Sequence, residues 1–282
     1  MKRHGSKQSA ICRGALAGVL LLGSTALWAQ APGGNRPAAA PLSARDQAPY
    51  DLSGYWVSLI TQNWRPRMVV LGPGDYEGVP MNAEGKKIAD AWTPAKAEEA
   101  ARTCEAYGGG IIMWLPERLH ISWQDPNELK VETDAGMQTR VLHFASAAGG
   151  ARAGAADAMS SQPPGNVPPT LQGYSVAHWV PSSGARGAPG AAPTRLQSGT
   201  LQVTTDHMLP GLMRRNGVPY DGDAKKTEWW DLRKISDDEQ WLVISTTVVE
   251  PHYLTRPYTY DPIFQKEADG AKWDPTPCSQ TP

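Results

Sequence analysis

Residues 51–60, with the sequence DLSGYWVSLI, are the first stretch of the chain whose side chains can stabilise an ordered element. Tyr55, Trp56 and Val57 are aromatic or β-branched, and such residues favour a pleated strand. Gly54 lets another chain segment approach the backbone closely. We therefore expect a first β-strand here, and later segments must supply the strands that pair with it.

The chain before this strand has the composition of a targeting leader followed by a tether. Basic residues precede an apolar run at 15–27, which has the length of a signal-peptide core and is too short to span a membrane comfortably. Ala29 is the expected cleavage position, so we predict a signal peptide at 1–29. Residues 30–50 are rich in Ala, Pro and Gly, which predicts a disordered tether. We expect a periplasmic or secreted protein; a retained membrane anchor is the alternative.

The charge of the processed chain argues against two classes of partner. Removing residues 1–29 takes four of the 27 Lys and Arg and none of the 28 Asp and Glu, which leaves a net charge of −5. A negative chain is a poor match for nucleic acid or an anionic membrane. We expect neither partner, and no stable membrane insertion after processing.

Two cysteines, Cys104 and Cys278, remain once Cys12 is removed with the leader. In an oxidising compartment such a pair is expected to form a disulfide. In the chain-entropy model a loop of this length stabilises the fold by at most roughly 4–5 kcal/mol. A metal site with His ligands and a pair of free thiols are the alternatives, although neither Cys has another Cys or a His at ligand spacing.

Most later segments alternate apolar and polar side chains with period two, as half-buried strands do. In residues 118–124, for example, Leu119, Ile121 and Trp123 share one face and His120 lies on the other. Further strands are expected at 65–71, 129–133, 137–144, 173–180, 199–205, 226–234, 240–250 and 255–266. Residues 82–104 are the one helical region, with Asn82 and Thr93 as N-caps.

This pattern predicts an all-β fold. Parallel pairing needs long connections, usually helical, and such helices are missing between the strands. We therefore expect an antiparallel up-and-down barrel of about ten strands with a small helical insertion, formed by residues 51–282 as one domain. Residues 145–170 and 181–198 are low in complexity and form two long loops, which are either mobile insertions or the rim of a ligand site.

Two sets of residues carry a resemblance to known families. Gly54-x-Trp56 resembles the opening motif of lipocalin-like (calycin-type) barrels, in which the Trp plugs the closed end. From Gly173 onward the chain is similar to a family of uncharacterised exported proteins of Gram-negative bacteria. The similar segments are GYSVAHW at 173–179, LQVTT at 201–205, RNGVPY at 215–220, TE at 227–228, EPHYLTRPY at 250–258 and KWDPTPC at 272–278. The resemblance implies an exported lipocalin-like barrel and implies no activity.

Polar residues that can perform acid–base chemistry concentrate in one connection and the strand after it. His207 beside Asp206 is a candidate general base, Arg215 can hold a carboxylate or phosphate, and Tyr220 and Glu228 can transfer protons. The alternative is structural: Arg215 pairs with Glu228, and His207 caps a turn. The chain has no Gly-x-Ser-x-Gly elbow, no phosphate-binding glycine loop and no His pair at metal-ligand spacing. We expect no cofactor and no metal, with a metal site built from distant strands left open.

Aromatic residues suggest a binding site for a small molecule. Ten of the 11 Trp lie after the leader, against two Phe, and Trp suits cavities that hold ring-shaped or lipid-like ligands. Trp229 and Trp230 must face opposite sides of a regular strand, so at least one is core. The candidate ligand-binding residues are Trp229, His120, Trp123 and Arg214. His120 lines a cavity if its face points inward and is solvated if it points outward.

Three hypotheses for function follow. In the first, the protein is an exported barrel that binds a small, partly apolar or aromatic ligand in an enclosed hollow, with Trp56 near its floor. In the second, the same barrel is a cofactor-independent acid–base enzyme, a lyase, isomerase or hydrolase, that uses His207, Arg215, Tyr220 and Glu228. In the third, it is a structural protein of the cell envelope.

Overall fold

The computed structural model describes residues 42–99, 102–144, 167–182 and 194–279. All of them belong to one unit, Ala39–Pro282. The predicted signal peptide, residues 30–41 of the predicted tether and most of the two low-complexity loops lie outside the described residues. The signal peptide therefore stays a prediction.

Short strands are the main regular secondary structure of the described chain. They are β1 Gly54–Leu59, β2 Arg118–Asp125, β3 Glu128–Thr133, β4 Thr139–Phe144, β5 Tyr174–Pro181, β6 Gly199–Asp206, β7 Gly211–Arg214, β8 Val218–Tyr220, β9 Lys225–Lys234, β10 Gln240–Val249, β11 Tyr258–Tyr260 and β12 Ile263–Lys266. The helices are α1 Ala44–Gln47, α2 Trp64–Met68, α3 Ala83–Ala91 and α4 Pro94–Glu99, with 3₁₀ helices at Thr103–Tyr107 and Ile112–Trp114. No helix in the described ranges is long and apolar enough to cross a lipid bilayer.

Nine of these strands close into a barrel in the order β1, β2, β3, β4, β5, β6, β9, β10, β12 and back to β1. Strand β11 pairs with β10 beside the ring, and β7 and β8 form a separate two-stranded sheet. The predicted all-β barrel is confirmed. Eight of its nine neighbouring pairs are antiparallel, and tight turns join three of them, β2–β3, β3–β4 and β9–β10.

One pair departs from the predicted up-and-down order. Strands β4 and β5 are parallel, with Leu142 opposite Ser175 and Phe144 opposite Ala177. Strand β5 therefore begins at the same end of the barrel as β4. The composition of a connecting segment does not show at which end of the barrel the next strand begins.

Residues 65–71 were expected to form a strand, and this prediction is wrong. They lie largely in helix α2, which places the Arg67 side chain in the interior. Arg67 Nε donates to Trp114 O at 2.8 Å and Nη2 to Ser58 Oγ at 2.7 Å. These long-range bonds override the local β-propensity of Met68, Val69 and Val70.

The expected strand at 255–266 is divided in two. Strand β11 pairs with β10 through Tyr260, and β12 pairs with both β10 and β1. Asp261 and Pro262 separate them, and Pro262 has no backbone N–H to contribute to a ladder. The helical region was predicted correctly: Asn82 Oδ1 caps α3 through Gly85 N, and Thr93 Oγ1 accepts from Lys96 N ahead of α4.

The middle of the barrel is a packed apolar core, which we call the barrel core. Every strand of the ring contributes to it. Its fully buried members are Trp56, Leu119, Ile121, Leu129, Val131, Leu142, Ala177, Leu201, Val203, Trp230, Leu242, Ile244 and Phe264. Trp56 lies inside as expected, and its Nε1 donates to Leu52 O at 2.9 Å. The expected enclosed hollow does not lie beside Trp56, because Trp56 and the side chains of the barrel core have no exposed surface.

Residues 42–50 belong to the predicted disordered tether, yet they pack against one end of the barrel. Ala44 is buried at α1, its N–H donates to Asn127 Oδ1, and its carbonyl accepts from Trp179 Nε1. Tyr50 packs edge-on against Trp179, with ring centroids 5.3 Å apart, and donates to Trp230 O. A few anchoring contacts therefore order a segment whose composition resembles a linker.

The predicted disulfide is confirmed. Cys104, in the 3₁₀ helix Thr103–Tyr107, is bonded to Cys278 across 174 residues of sequence. The hydroxyl of Tyr107 also donates to Ser279 O at 3.0 Å, so the C-terminal tail is held at two neighbouring points. A disulfide of this kind is typical of an oxidising compartment.

Candidate functional site

A layer of buried polar side chains lies at the end of the barrel opposite α1. On β9, side chains two residues apart point inward, and they run from Trp230 in the barrel core through Glu228 and Lys226 to Ala224. The same change from apolar to polar occurs on other strands. The layer consists of Glu117, Thr133, Arg140, Ser175, Thr205, Lys226, Glu228 and Thr246, each no more than 4 % exposed. We call this set the polar layer.

A second apolar core, the cap core, covers the polar layer. It includes Trp114, Tyr220, Val248 and Tyr260, together with residues around α3 and the β7–β8 hairpin. Val248 follows Ile244 and Thr246 on the inward face of β10, so the three lie in succession in the barrel core, the polar layer and the cap core. The charged groups are therefore enclosed between two apolar regions.

Arg140 and Glu228 form the centre of the polar layer across the barrel from β4 to β9. Arg140 Nη1 donates to Glu228 Oε1 at 3.2 Å, and Nη2 donates to Oε2. The same guanidinium donates to Ser175 Oγ at 3.1 Å and to Thr205 Oγ1 at 2.8 Å. Burial acts to raise the pKa of Glu228, but Arg140 and Lys226 outweigh it and lower the pKa. Glu228 is therefore ionised.

Lys226 is the second cation of the layer. Its Nζ lies 3.1 Å from Glu228 Oε1, as an ion pair whose angles are poor for a hydrogen bond. Burial, reinforced by Arg140, lowers the pKa of Lys226 to about 8, although Glu228 opposes the shift. Glu228 thus shares its charge between two cations.

Glu117 is a buried carboxyl group whose two oxygens have no hydrogen-bond partner among the described residues. Burial, with Asp134 nearby, raises the pKa of Glu117 well above its ordinary value, and Arg67 and Lys226 oppose the shift. Burial therefore favours the protonated form of Glu117, in which the carboxyl group carries an O–H donor.

Two arginines lie against one indole ring at the boundary between the polar layer and the cap core. The guanidinium carbon of Arg67 is 4.9 Å from the Trp114 ring centroid, and that of Arg214 is 4.7 Å away. Arg214 donates to Met213 O and to the Tyr258 hydroxyl. Neither guanidinium forms an ion pair within the described part of the chain. We call these three residues the arginine–tryptophan stack.

Tyr260 connects the stack to the polar layer. Its ring packs edge-on against Trp114 at 5.2 Å, and it lies opposite Thr246 in the β10–β11 pairing. Its hydroxyl donates to Gly110 O at 2.6 Å. The stack and the polar layer are therefore parts of one site.

Six buried polar atoms of this site have no hydrogen-bond partner among the described residues: both carboxyl oxygens of Glu117, Thr246 Oγ1, Arg214 Nε, Trp114 Nε1, and Lys226 Nζ, which is ion-paired with Glu228. Buried polar atoms in folded proteins nearly always have partners, either in the protein or in a bound water or ligand. The site therefore has the donors and acceptors to receive a small bound group.

The four predicted catalytic residues do not come together. Glu228 lies in the polar layer and Tyr220 in the cap core, whereas His207 lies at the surface with Nδ1 2.6 Å from Asp206 Oδ1. No hydrogen bond or ion pair within the described ranges joins any two of His207, Arg215, Tyr220 and Glu228. The alternative Arg215–Glu228 pair is also wrong, because Glu228 points into the barrel and meets Arg140 and Lys226.

The predicted ligand-binding residues lie on different surfaces. Arg214 belongs to the arginine–tryptophan stack. His120 is on the outer face, stacked 4.5 Å from Tyr55 with Nδ1 2.9 Å from Glu132 Oε2. Trp229 is also outside and 39 % exposed, while Trp230 is buried. Trp123 packs on Phe144 and lies towards the α1 end of the barrel. Of these four residues, Arg214 alone belongs to the site described above.

Arg140, Lys226, Glu117 and Arg67 were missed as site residues. Two of them carried a usable signal in the strand period. Arg140 has the same phase as Leu142 and Phe144, and Lys226 the same phase as Glu228 and Trp230. A charged residue in phase with the apolar face of a strand is a candidate for a buried charge. Glu117 and Arg67 lie outside the strands and carried no such signal.

The outer surface has two clefts, of about 330 and 450 Å³. The first is lined by residues of β1, β12 and the chain after β12, and the second by residues 49–50, 197–200 and 231–233 among others. Neither contains a predicted site residue. Within the described ranges, no three His, Cys, Asp or Glu side chains are grouped so as to hold a metal ion.

Comparison with known proteins adds no further assignment: no protein-family model, no curated protein and no solved structure matches the chain.

Proposed function

We propose that the protein is an exported barrel that binds a small, partly apolar or aromatic molecule between the polar layer and the cap core. The observation that carries this proposal is the concentration in one site of six buried polar atoms without a hydrogen bond. An unpaired buried polar group costs about 1–3 kcal/mol, so a ligand that pairs several of them gains substantial affinity. The aromatic rings of Trp114, Tyr220 and Tyr260 supply the apolar contacts that such a ligand needs.

The ligand would reach this site by displacement of the cap. The β7–β8 hairpin forms its own sheet, so it can move without breaking a hydrogen bond of the closed ring. The other end of the barrel offers a poorer route, because residues 42–50 and the barrel core fill it. Local opening of a peripheral element requires less free energy than opening of a closed sheet.

A binding screen on the protein without residues 1–29 tests the proposal. Aromatic acids, aromatic amides, fatty acids and steroids are titrated by calorimetry, with Trp fluorescence as a second signal. For a ligand that binds, Lys226→Met should weaken affinity about tenfold or more. Lys130→Met is the matched control, because Lys130 is on the outer face of β3, 3.1 Å from Glu132. This variant should bind the ligand with unchanged affinity.

The proposal fails if no compound in the screen binds, or if both lysine variants change affinity equally. Thermal unfolding of each variant shows whether a loss of binding comes from a loss of fold.

A role as an envelope-interaction protein is a second candidate, favoured by one observation. Trp64, Met68 and Val69, at and just after α2, are each at least 50 % exposed. Exposed apolar side chains grouped on one segment are typical of contact surfaces. Trp64→Ser should then reduce co-sedimentation with isolated envelope fractions, whereas Trp229→Ser, another exposed Trp, should not. Equal sedimentation of the two variants would rule this role out.

A further inference from the structure

The site buries more cationic than anionic side chains. Four cations are no more than 3 % exposed: Arg67, Arg140, Arg214 and Lys226. Glu228 is the one carboxylate that pairs with any of them within the described part of the chain. Glu117, the other carboxyl group of the site, is bonded to none of them. The site therefore encloses more positive than negative charge.

The nearby acidic residues Asp134 and Glu250 form no ion pair with these cations in the described part of the chain. The Asp134 carboxylate accepts from Arg118 N and Ala135 N, and it holds the start of β2. The Glu250 carboxylate accepts from the backbone N–H groups of residues 252–254. Both are engaged by backbone donors in turns. An uncompensated buried charge is among the most unfavourable features of a protein interior.

Arg214 is the cation best placed to bind a ligand. It is 3 % exposed, its Nε has no partner, and it lies on the β7–β8 hairpin, which covers the site. By contrast, all three nitrogens of Arg67 already donate to Trp114 O, Leu59 O and Ser58 Oγ. A guanidinium presents its N–H groups in a planar fork that matches the two oxygens of an acid group.

Resting on the proposed function, we infer that the ligand is an organic anion whose acid group binds Arg214 and whose apolar part packs against Trp114 and Tyr260. Arg67, Arg140 and Lys226 supply a positive field without each needing a direct contact. The Glu117 carboxyl group, whose oxygens have no hydrogen-bond partner among the described residues, can donate to the acid group when it is protonated. The shared chemistry is a carboxylate or a phosphate ester on an apolar body.

Matched probes of one shape test this inference. The probes are 1-naphthaleneacetate, its neutral amide and 1-naphthyl phosphate, titrated by calorimetry at constant ionic strength. Both anions should bind at least about tenfold more tightly than the amide. Whichever anion binds more tightly identifies the acid group as a carboxylate or as a phosphate ester.

Three arginine variants locate the acid group. Arg214→Gln should reduce the preference for the anions to less than about twofold, and Arg214→Lys should restore part of it. Arg233→Gln, at an exposed arginine of β9, should leave the preference unchanged. Circular dichroism and thermal unfolding establish that each variant folds.

Each other outcome has a defined meaning. If the amide binds as tightly as the acids, the inference is overturned while the proposed function stands. If the anions are preferred equally by the wild type and Arg214→Gln, the acid group does not bind Arg214 and the inference is again overturned. If no probe binds, and the wider screen also finds no ligand, the proposed function itself is overturned.

Discussion

The two halves of the barrel interior are built from the same strands but from different residues. Towards α1, inward positions carry Trp56, Leu119, Leu142 and similar side chains, and the barrel core is apolar and filled. Two residues closer to the N-terminal ends of β4 and β9, the inward positions carry Arg140 and Glu228. The barrel core maximises buried apolar area, whereas the polar layer retains buried charge. A chain selected for stability alone would continue the apolar core, so the polar layer is where function is expected.

The largest expected effect lies in the barrel core. Trp56→Ala removes a fully buried indole and its bond to Leu52 O, and should lower the free energy of unfolding by about 4 kcal/mol. Denaturant unfolding with the disulfide intact measures this loss. A loss below about 1 kcal/mol would show that the core around Trp56 is not tightly packed.

In the polar layer, replacing one charged residue should destabilise the protein, whereas replacing all three should recover most of the lost stability. Glu228→Leu alone leaves Arg140 and Lys226 without a counter-charge and should cost about 3–5 kcal/mol. Changing all three, as Arg140→Met, Lys226→Met and Glu228→Leu, should recover most of that stability and abolish ligand binding. Denaturant unfolding and calorimetry measure the two effects. A triple variant that is no more stable than the single one would mean that the charges hold the fold together.

Loss of the disulfide should have a smaller effect. Cys104→Ser with Cys278→Ser releases a loop of 174 residues and should destabilise the protein by about 3 kcal/mol. The variant is compared with the oxidised and the reduced wild type by denaturant unfolding. Reduced wild type and double variant should unfold alike; a difference between them would show that the substitutions disturb the fold directly.

The charge state of Glu117 should make the stability of the protein depend on pH. Its pKa is raised on folding, so the folded state binds a proton more tightly than the unfolded state, in which the pKa is near 4.5. The resulting stabilisation is complete below pH 4.5 and is lost as the pH rises towards the folded pKa. Glu117→Gln should flatten stability between pH 5 and 7, while Glu98→Gln, at an exposed residue of α4, should not. An unchanged slope in Glu117→Gln would show that the group does not take up a proton on folding.

The smallest expected effect distinguishes the two faces of one strand. Trp229→Ala, on the outside of β9, should cost no more than about 0.5–1 kcal/mol. Changing the neighbouring, fully buried Trp230 to Ala should lower the free energy of unfolding by about 3–5 kcal/mol. Equal losses in the two variants would contradict the assignment of the faces.

Local patterns in the sequence predicted much of the fold. Alternation identified β2, β3, β9 and β10, because a strand beside a buried core must place every second side chain inside. The caps Asn82 and Thr93 were recognisable because their partners are three residues away. The candidate site was largely missed, since Arg140 and Glu228 are 88 residues apart and meet only across the closed barrel.

The sequence by itself determined the all-β class and the Cys104–Cys278 pair, because these depend on local period and on elimination of other partners. The burial of Trp56 was expected from the resemblance of Gly54-x-Trp56 to lipocalin-like barrels. The tertiary structure alone decided that β4 and β5 run parallel, that residues 42–50 pack against the barrel, and that Arg140, Lys226, Glu117 and Arg214 share one buried site. Barrel closure is a long-range event. Which inward-facing charges meet depends on the register of all nine strands together, and no single segment carries that information.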